Sequence, residues 1–349
     1  MSRRNRLLLF FCLFSSIITL GFYLKLFNNL TPKPIFPVNK PSYRGCIVTL
    51  IRSDNLISLN KLLNMLNSLY LYFKNIHQYP IYLFHESTLT NDTKEQILSC
   101  SSKLNVQFYQ ISFHIPVPSN RSGYASMCQF WSYDIWFKYK ILQDQCDYVL
   151  RFDDDSYLIN STERDLFEEF HQNHYDYAYR IIFHDNNGLE FLRDNLRTFL
   201  ASNETRRGCI QSLCTPLNGP HGYDGLAVYN NFFLLRLNLI YEHPIIERYL
   251  QQLVSSHAFY QYRIGDANIQ AICLFLIQKP IQIGYMKFPY NHNVHGAAEL
   301  FPSFVYYGDS ALLWHLQMRI PNVTCHKVFI LTKYTMIEKN VEQIERKTQ

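Results

Sequence analysis

No Gly-x-Gly-x-x-Gly stretch and no Walker-type loop occurs among the 349 residues, so neither a dinucleotide-binding nor a P-loop fold has motif support. No Cys-x-x-Cys pair is present, which removes the usual spacing of a structural zinc site. Charged residues make up only 17% of the chain, and the net charge of +5 is scattered rather than gathered into a basic stripe. Nucleic acid is therefore not an expected partner. Internal repeats and low-complexity tracts are also missing. What is plentiful is apolar and aromatic: 48% of residues are hydrophobic, with 26 Tyr and 26 Phe. That content rules out wholesale disorder, and the length permits one large α/β domain. The rings fill a core and, where exposed, offer apolar platforms with polar tips of the kind sugar sites use.

The N-terminus reads as a membrane anchor. MSRRNR carries three Arg and is followed by an 18-residue run without charge, residues 7–24. As a helix that run spans about 27 Å at about 1.5 Å per residue, close to the hydrocarbon thickness of a bilayer. No small-residue cleavage site follows it. Positive charge ahead of the span predicts a cytoplasmic tail (residues 1–6), a type II signal anchor (7–24) and the remainder on the far side. Residues 25–42 hold four Pro and read as an extended stem.

Six Asn-x-Ser/Thr sequons lie beyond the anchor, at Asn29, Asn91, Asn120, Asn160, Asn203 and Asn322. Of nine Cys, Cys12 falls within the span. The other eight are an even number suited to disulfides in an oxidising lumen, with the pairing left open. Both features predict a secretory compartment.

From residue 43 onward, strand-like and helix-like segments alternate. CIVTLI is followed by the helical pattern LISLNKLLNMLNSLYLYF, then YPIYLFHE, NDTKEQILSC, VQFYQISF, MCQFWSYDIWFKYKIL and YVLRFDDDSYL. That alternation predicts a mostly parallel sheet flanked by helices. Ligands in such sheets sit outside the C-terminal strand ends. Asp153, Asp154 and Asp155 fall at one of those ends. If the strand continues, Asp153 and Asp155 share a face and Asp154 takes the other. Two aligned carboxylates suit a hard divalent cation such as Mn²⁺ or Mg²⁺, which in turn grips a diphosphate.

Taken in order, CIVTLIRSDN, YPIYLFHE, GYASMCQFWS, RFDDD, YNNFFLLRLNLI and YRIGDANIQAI resemble blocks of glycosyltransferase family 15, the fungal Golgi α-1,2-mannosyltransferases. The resemblance covers about residues 45–300. It implies a GT-A fold over residues 43–335; the charged residues 336–349 read by themselves as a tail. It implies a retaining hexosyl transfer, with GDP-mannose as the donor, Mn²⁺ as the cofactor, a glycan hydroxyl as the acceptor, and residence in the Golgi membrane with the catalytic domain luminal.

Carried over by block, Arg52, Tyr124, Asp153 and Arg263 bind the nucleotide sugar. Asp155, Asp153 and His292 hold the metal, with His295 as the competing third ligand. Asp266, in the YRIGDAN block with Gly265, contacts donor or acceptor hydroxyls or else caps a helix. Two positions depart from the pattern. Phe233 stands where the family has a Glu, and a phenyl ring can neither attack an anomeric carbon nor stabilise its charge. Gln129 stands where an Arg is usual. Asp224 is the nearest upstream carboxylate that could substitute. A UDP-sugar donor, such as UDP-galactose or UDP-N-acetylglucosamine, and an inactive luminal glycan-binding protein remain open readings.

Overall fold

The computed structural model describes residues 42–51, 56–116, 122–139, 141–202, 222–277 and 281–292. The anchor, the stem up to residue 41, the tail, Arg52, His295 and the sequons at Asn29, Asn120, Asn203 and Asn322 lie outside them. Asn91 and Asn160 are described, and both are exposed. Among the described residues no helix is long and apolar enough to cross a membrane. The chain divides after Ser42, and the unit beginning at Tyr43 carries the features below.

Short apolar runs form the strands. In chain order they are β1 (Gly45–Leu50), β2 (Ile81–His85), β3 (Val106–Gln110), β4 (Tyr148–Phe152), β5 (Ser156–Leu158), β6 (Tyr177–Tyr179), β7 (Ile182–His184), β8 (Leu226–Val228), β9 (Phe232–Arg236), β10 (Ile283–Tyr285) and β11 (Tyr290–His292). Seven of them build one sheet in the order β10-β6-β9-β4-β1-β2-β3. β1, β2, β3 and β4 pair in parallel, and so do β6 and β10. β9 alone runs antiparallel to its neighbours β4 and β6. β1, β2 and β4 read as nearly unbroken hydrophobic runs because helices cover both faces of the sheet.

Seven longer helices supply that cover: α1 (Leu56–Tyr72), α2 (Asn91–Cys100), α3 (Ser122–Gln129), α4 (Leu166–Gln172), α5 (Leu189–Ser202), α6 (Pro244–Ser255) and α7 (Asp266–Leu276). One face of the sheet, carrying Ile47, Leu83 and Leu150, packs on Leu62 and Leu66 of α1 and Phe170 of α4. The other, carrying Val48, Val149 and Phe233, packs on Cys128 of α3, Leu192 of α5, Leu250 of α6 and Ile272 of α7. Local chemistry sets the helix starts. Asp165 caps α4 by accepting from the backbone N–H groups of Phe167 and Glu168, and Thr90 caps α2 through Thr93 N–H. Pro244 opens α6, where its missing N–H costs nothing.

Cys46 of β1 and Cys146, just ahead of β4, form a disulfide. Cys100 is disulfide-bonded as well. Not all of the eight downstream cysteines form disulfides. Cys128 and Cys273 are buried free thiols, packed as small apolar side chains under the sheet.

Candidate metal and sugar site

The site begins where β4 stops. Thr49, fully buried in β1, donates its hydroxyl hydrogen to the Phe152 carbonyl at 2.7 Å and pins the strand end. The chain then turns instead of extending, with Ser156 N–H reaching back to the Asp153 carbonyl at 3.0 Å. The three aspartates therefore do not lie along a strand, and alternation of side chains is not what brings two of them together. The turn does so, and it feeds β5 into an antiparallel ribbon with β11 in which His292 stands opposite Ser156. Ser156 and Tyr290 share a hydroxyl–hydroxyl contact of 2.7 Å across the ribbon, and Leu158 N–H donates to Ser68 of α1 at 3.0 Å.

This arrangement gathers Asp153, Asp155 and His292, with one potential ligand atom from each lying within 4.8 Å of the others. Their side chains are 16%, 19% and 12% exposed, respectively. Two carboxylate oxygens and one imidazole nitrogen fit Mn²⁺ or Mg²⁺ by donor chemistry, and three protein ligands leave positions open for a bound substrate.

Positive groups flank the cluster. His292 Nε2 lies 2.8 Å from Asp155 Oδ1, and Lys61 Nζ of α1 lies 3.7 Å from Asp155 Oδ2. Burial pushes the Asp155 carboxyl up, but the His292 hydrogen bond and charge and the Lys61 charge outweigh it and leave the carboxyl below its ordinary value. Burial likewise lowers His292, yet Asp155, Asp153 and Asp154 together raise it above an ordinary histidine. Asp153 goes up, because burial exceeds the stabilisation that Arg151 gives its charge. Asn231, just ahead of β9, donates to Asp153 Oδ2 and lies 3.0 Å from His292 Nε2.

The other residues marked in the sequence fall in three places. Tyr124 is 46% exposed, but its hydroxyl turns inward over Gly265, beside Asn268 Oδ1 and Asp185 Oδ2. Burial, followed by the Cys128 and Asp266 charges, pushes its phenol up. Asp266 is the first residue of α7 and not its cap; Gly265 holds the cap position without a side-chain bond. The Asp266 carboxylate is engaged by Arg151 Nη1 at 2.6 Å and by the Cys128 thiol at 3.8 Å. It is thus engaged in an ion pair, with its side chain 9% exposed.

Asp224 is exposed on the turn before β8, facing His184 at 3.4 Å and accepting from Leu226 N–H. The structure does not bring it into the cluster. Arg263 is exposed, with its carbonyl close to Gly188. Phe233 is 1% exposed and stacks on Tyr177 with ring centroids 5.9 Å apart. That position is core. Gln129 turns its amide toward buried Asp134, at 3.4 Å from each carboxylate oxygen.

Sequence reasoning missed Arg151, Lys61 and Asn231. Lys61 carried a readable signal, since it is the one charged residue in the 17 of α1. Arg151 lies two residues before Asp153, at the end of β4, and no local pattern singles it out.

No family model matches this sequence, and no curated protein matches it. Solved structures do match its fold. Core-mannan synthase A from Aspergillus fumigatus, in a Mn/GDP form, aligns with a TM-score of 0.59 at 18% identity over 74% of this chain and 76% of that one. The mannosyltransferase Ktr4p from S. cerevisiae aligns with a TM-score of 0.60 at 21% identity over 76% and 75%. Its complex with GDP gives 0.57 at 20% identity over 73% and 72%. The chain has the mixed α/β, mostly parallel architecture of these fungal mannosyltransferases.

Proposed function

We propose that the protein is a glycosyltransferase that moves a hexosyl group, mannose from GDP-mannose by first preference, to a glycan hydroxyl with retention of configuration and an α-1,2 linkage. The observation that carries this reading is the Asp153–Asp155–His292 cluster at the C-terminal edge of a sheet whose fold is shared with mannosyltransferases. A divalent cation held by those three residues would supply positive charge beside the diphosphate leaving group.

The chain's own residues contribute the rest. Lys61 adds positive charge beside Asp155, and Asn231 orients Asp153. The oxygens of Tyr124 and Asp185 lie beside Gly265 and can order sugar hydroxyls. Asp266 is held by Arg151 and position 233 carries no carboxylate, so the acceptor proton goes late to the departing diphosphate rather than to either of these residues. The apolar run at residues 7–24, the Arg-rich start and the sequons support a type II anchor in the Golgi membrane with this domain luminal.

The test is a donor screen on the full chain. GDP-mannose, UDP-galactose and UDP-N-acetylglucosamine are each incubated with and without Mn²⁺, and sugar release and transfer are both read. Turnover with GDP-mannose that vanishes without the metal is expected. Turnover only with a UDP-sugar replaces the donor. The buried Phe233 favours the inactive glycan-binding reading, which wins if the protein retains glycans yet neither binds nor turns over a nucleotide sugar.

Gly265→Ala tests the sugar side. At φ −89° the backbone accepts alanine, and the new methyl would lie 3.4 Å from Tyr124 Oη, 3.5 Å from Asn268 Oδ1 and 3.6 Å from Asp185 Oδ2. Those are ordinary contacts, but Gly265 is the N-cap of α7, where alanine is the poorer residue, so stability should fall by about 1 kcal/mol or less. A methyl there would crowd out a sugar hydroxyl held by Tyr124 Oη or Asp185 Oδ2, and kcat/KM should fall about tenfold or more. Unchanged kinetics would remove this cradle from the site.

A further inference from the structure

Among the described residues Arg151 is the largest fully buried polar side chain, at 2% exposure, yet it lies in the middle strand of a hydrophobic sheet. A guanidinium in such a place demands full compensation, and the structure supplies it from three sides. Its Nε donates to Asp153 Oδ1 at 2.8 Å and its Nη2 to Asp153 Oδ2 at 3.3 Å, forming a fork that grips both oxygens of one carboxylate. Its Nη1 donates to Asp266 Oδ2 at 2.6 Å. Its plane lies over the Trp131 ring at 4.1 Å, and Trp131 belongs to a π-helical turn (Phe130–Asp134) that continues α3.

From this we infer that Arg151 is a positioning residue for the cation site: it fixes the orientation of Asp153 and ties that carboxylate to the first turn of α7 through Asp266. The inference rests on the metal reading of the cluster and extends it to a residue that would not itself touch the ion. Geometry and electrostatics predict opposite signs here, which makes the idea testable. As a charge alone, Arg151 repels a nearby cation, so removing it should tighten binding. As a clamp, it holds Asp153 in one rotamer, and removing it should weaken binding, as loss of outer partners of metal ligands does. A lysine keeps the charge but cannot grip both oxygens in a planar fork.

The experiment titrates Mn²⁺ alone, without nucleotide, into the full chain and follows free Mn²⁺ by its electron paramagnetic resonance signal. Arg151→Met is expected to weaken binding about tenfold to a hundredfold. Arg151→Lys should weaken it about tenfold without rescue. Equal or tighter binding by Arg151→Met overturns the inference.

If both variants fail to fold, Asp266→Asn decides. It keeps Arg151 and the hydrogen-bond acceptor but removes the outer charge, so that Asp153 alone balances the guanidinium. Mn²⁺ binding about threefold to tenfold weaker is expected, and unchanged binding overturns the link to α7. A wild-type protein that binds no Mn²⁺ overturns the inference together with the metal site. One that binds Mn²⁺ but transfers no sugar defeats only the proposed activity.

Discussion

Asp155→Asn should abolish measurable Mn²⁺ binding and lower sugar transfer on the order of a thousandfold, while leaving the fold intact. The magnitude follows from what the carboxylate does. It would be a direct ligand, and losing even an outer partner of a ligand typically costs tenfold to a hundredfold. Asparagine keeps the volume and an acceptor oxygen but not the charge, so steric loss cannot explain the result. Metal titration and initial rates on the same preparation check it; binding within threefold of wild type would remove Asp155 from the ligand set.

The same variant carries a pH signature in the metal-free protein. Asp155 is held below its ordinary carboxyl value, so its contribution is present above about pH 4 and fades as pH falls through the lowered value. His292 is raised, so its contribution is complete below about pH 6.5 and fades as pH rises through the raised value. The ion pair therefore stabilises the fold between those limits, by about 1–2 kcal/mol for a half-buried charged hydrogen bond. Thermal unfolding of wild type and Asp155→Asn should differ most near pH 5–6, and the difference should shrink as pH rises through the raised His292 value. Mn²⁺ binding runs the other way. It improves with rising pH, because His292 must lose its proton before it can ligate.

Opening the Cys46–Cys146 disulfide should lower the domain's stability by about 3–5 kcal/mol. The two residues are 100 apart in sequence, and by chain entropy a closed loop of that length is worth about 4.7 kcal/mol. Both sulfurs are buried, at 0% and 2% exposure, between β1 and the start of β4. Those two strands pair directly, and β4 carries Arg151 and runs into the aspartate turn. The double Ser variant, unfolded by denaturant beside the intact protein, measures the loss. A change under about 1 kcal/mol would show that strand pairing alone holds these ends. At temperatures where the variant is still folded, Mn²⁺ affinity should change little, because Thr49 continues to pin Phe152.

Much of the fold is legible in the chain. The alternation of apolar strand runs with helical periodicity through Asp155 gives the parallel direction of β1 to β4, though not their order, and the placing of the acidic tip at a C-terminal strand end. Less was legible in the second half. β5, β6, β7, β10 and β11 are each three residues long, too short for periodicity to register. β11 is the costly omission, since it brings His292 to Asp155 across 137 residues of chain. Asp266 illustrates a different limit. Its place at a helix start was readable, but its partner Arg151 lies 115 residues away, and no local pattern announces a buried ion pair.

The sequence by itself determined which side chains were available: three acids behind an apolar strand, a histidine in a polar loop, and a phenylalanine instead of a carboxylate at 233. Those are matters of composition and short-range order. Only the tertiary structure decided their roles. It folded the acids into a turn, brought His292 and Lys61 beside them, sank Phe233 into the core and bound Asp266 to Arg151. The reason is physical: the free energy of a charge depends on what lies within a few ångströms of it, and the long-range packing of the sheet and its ribbon sets those neighbours.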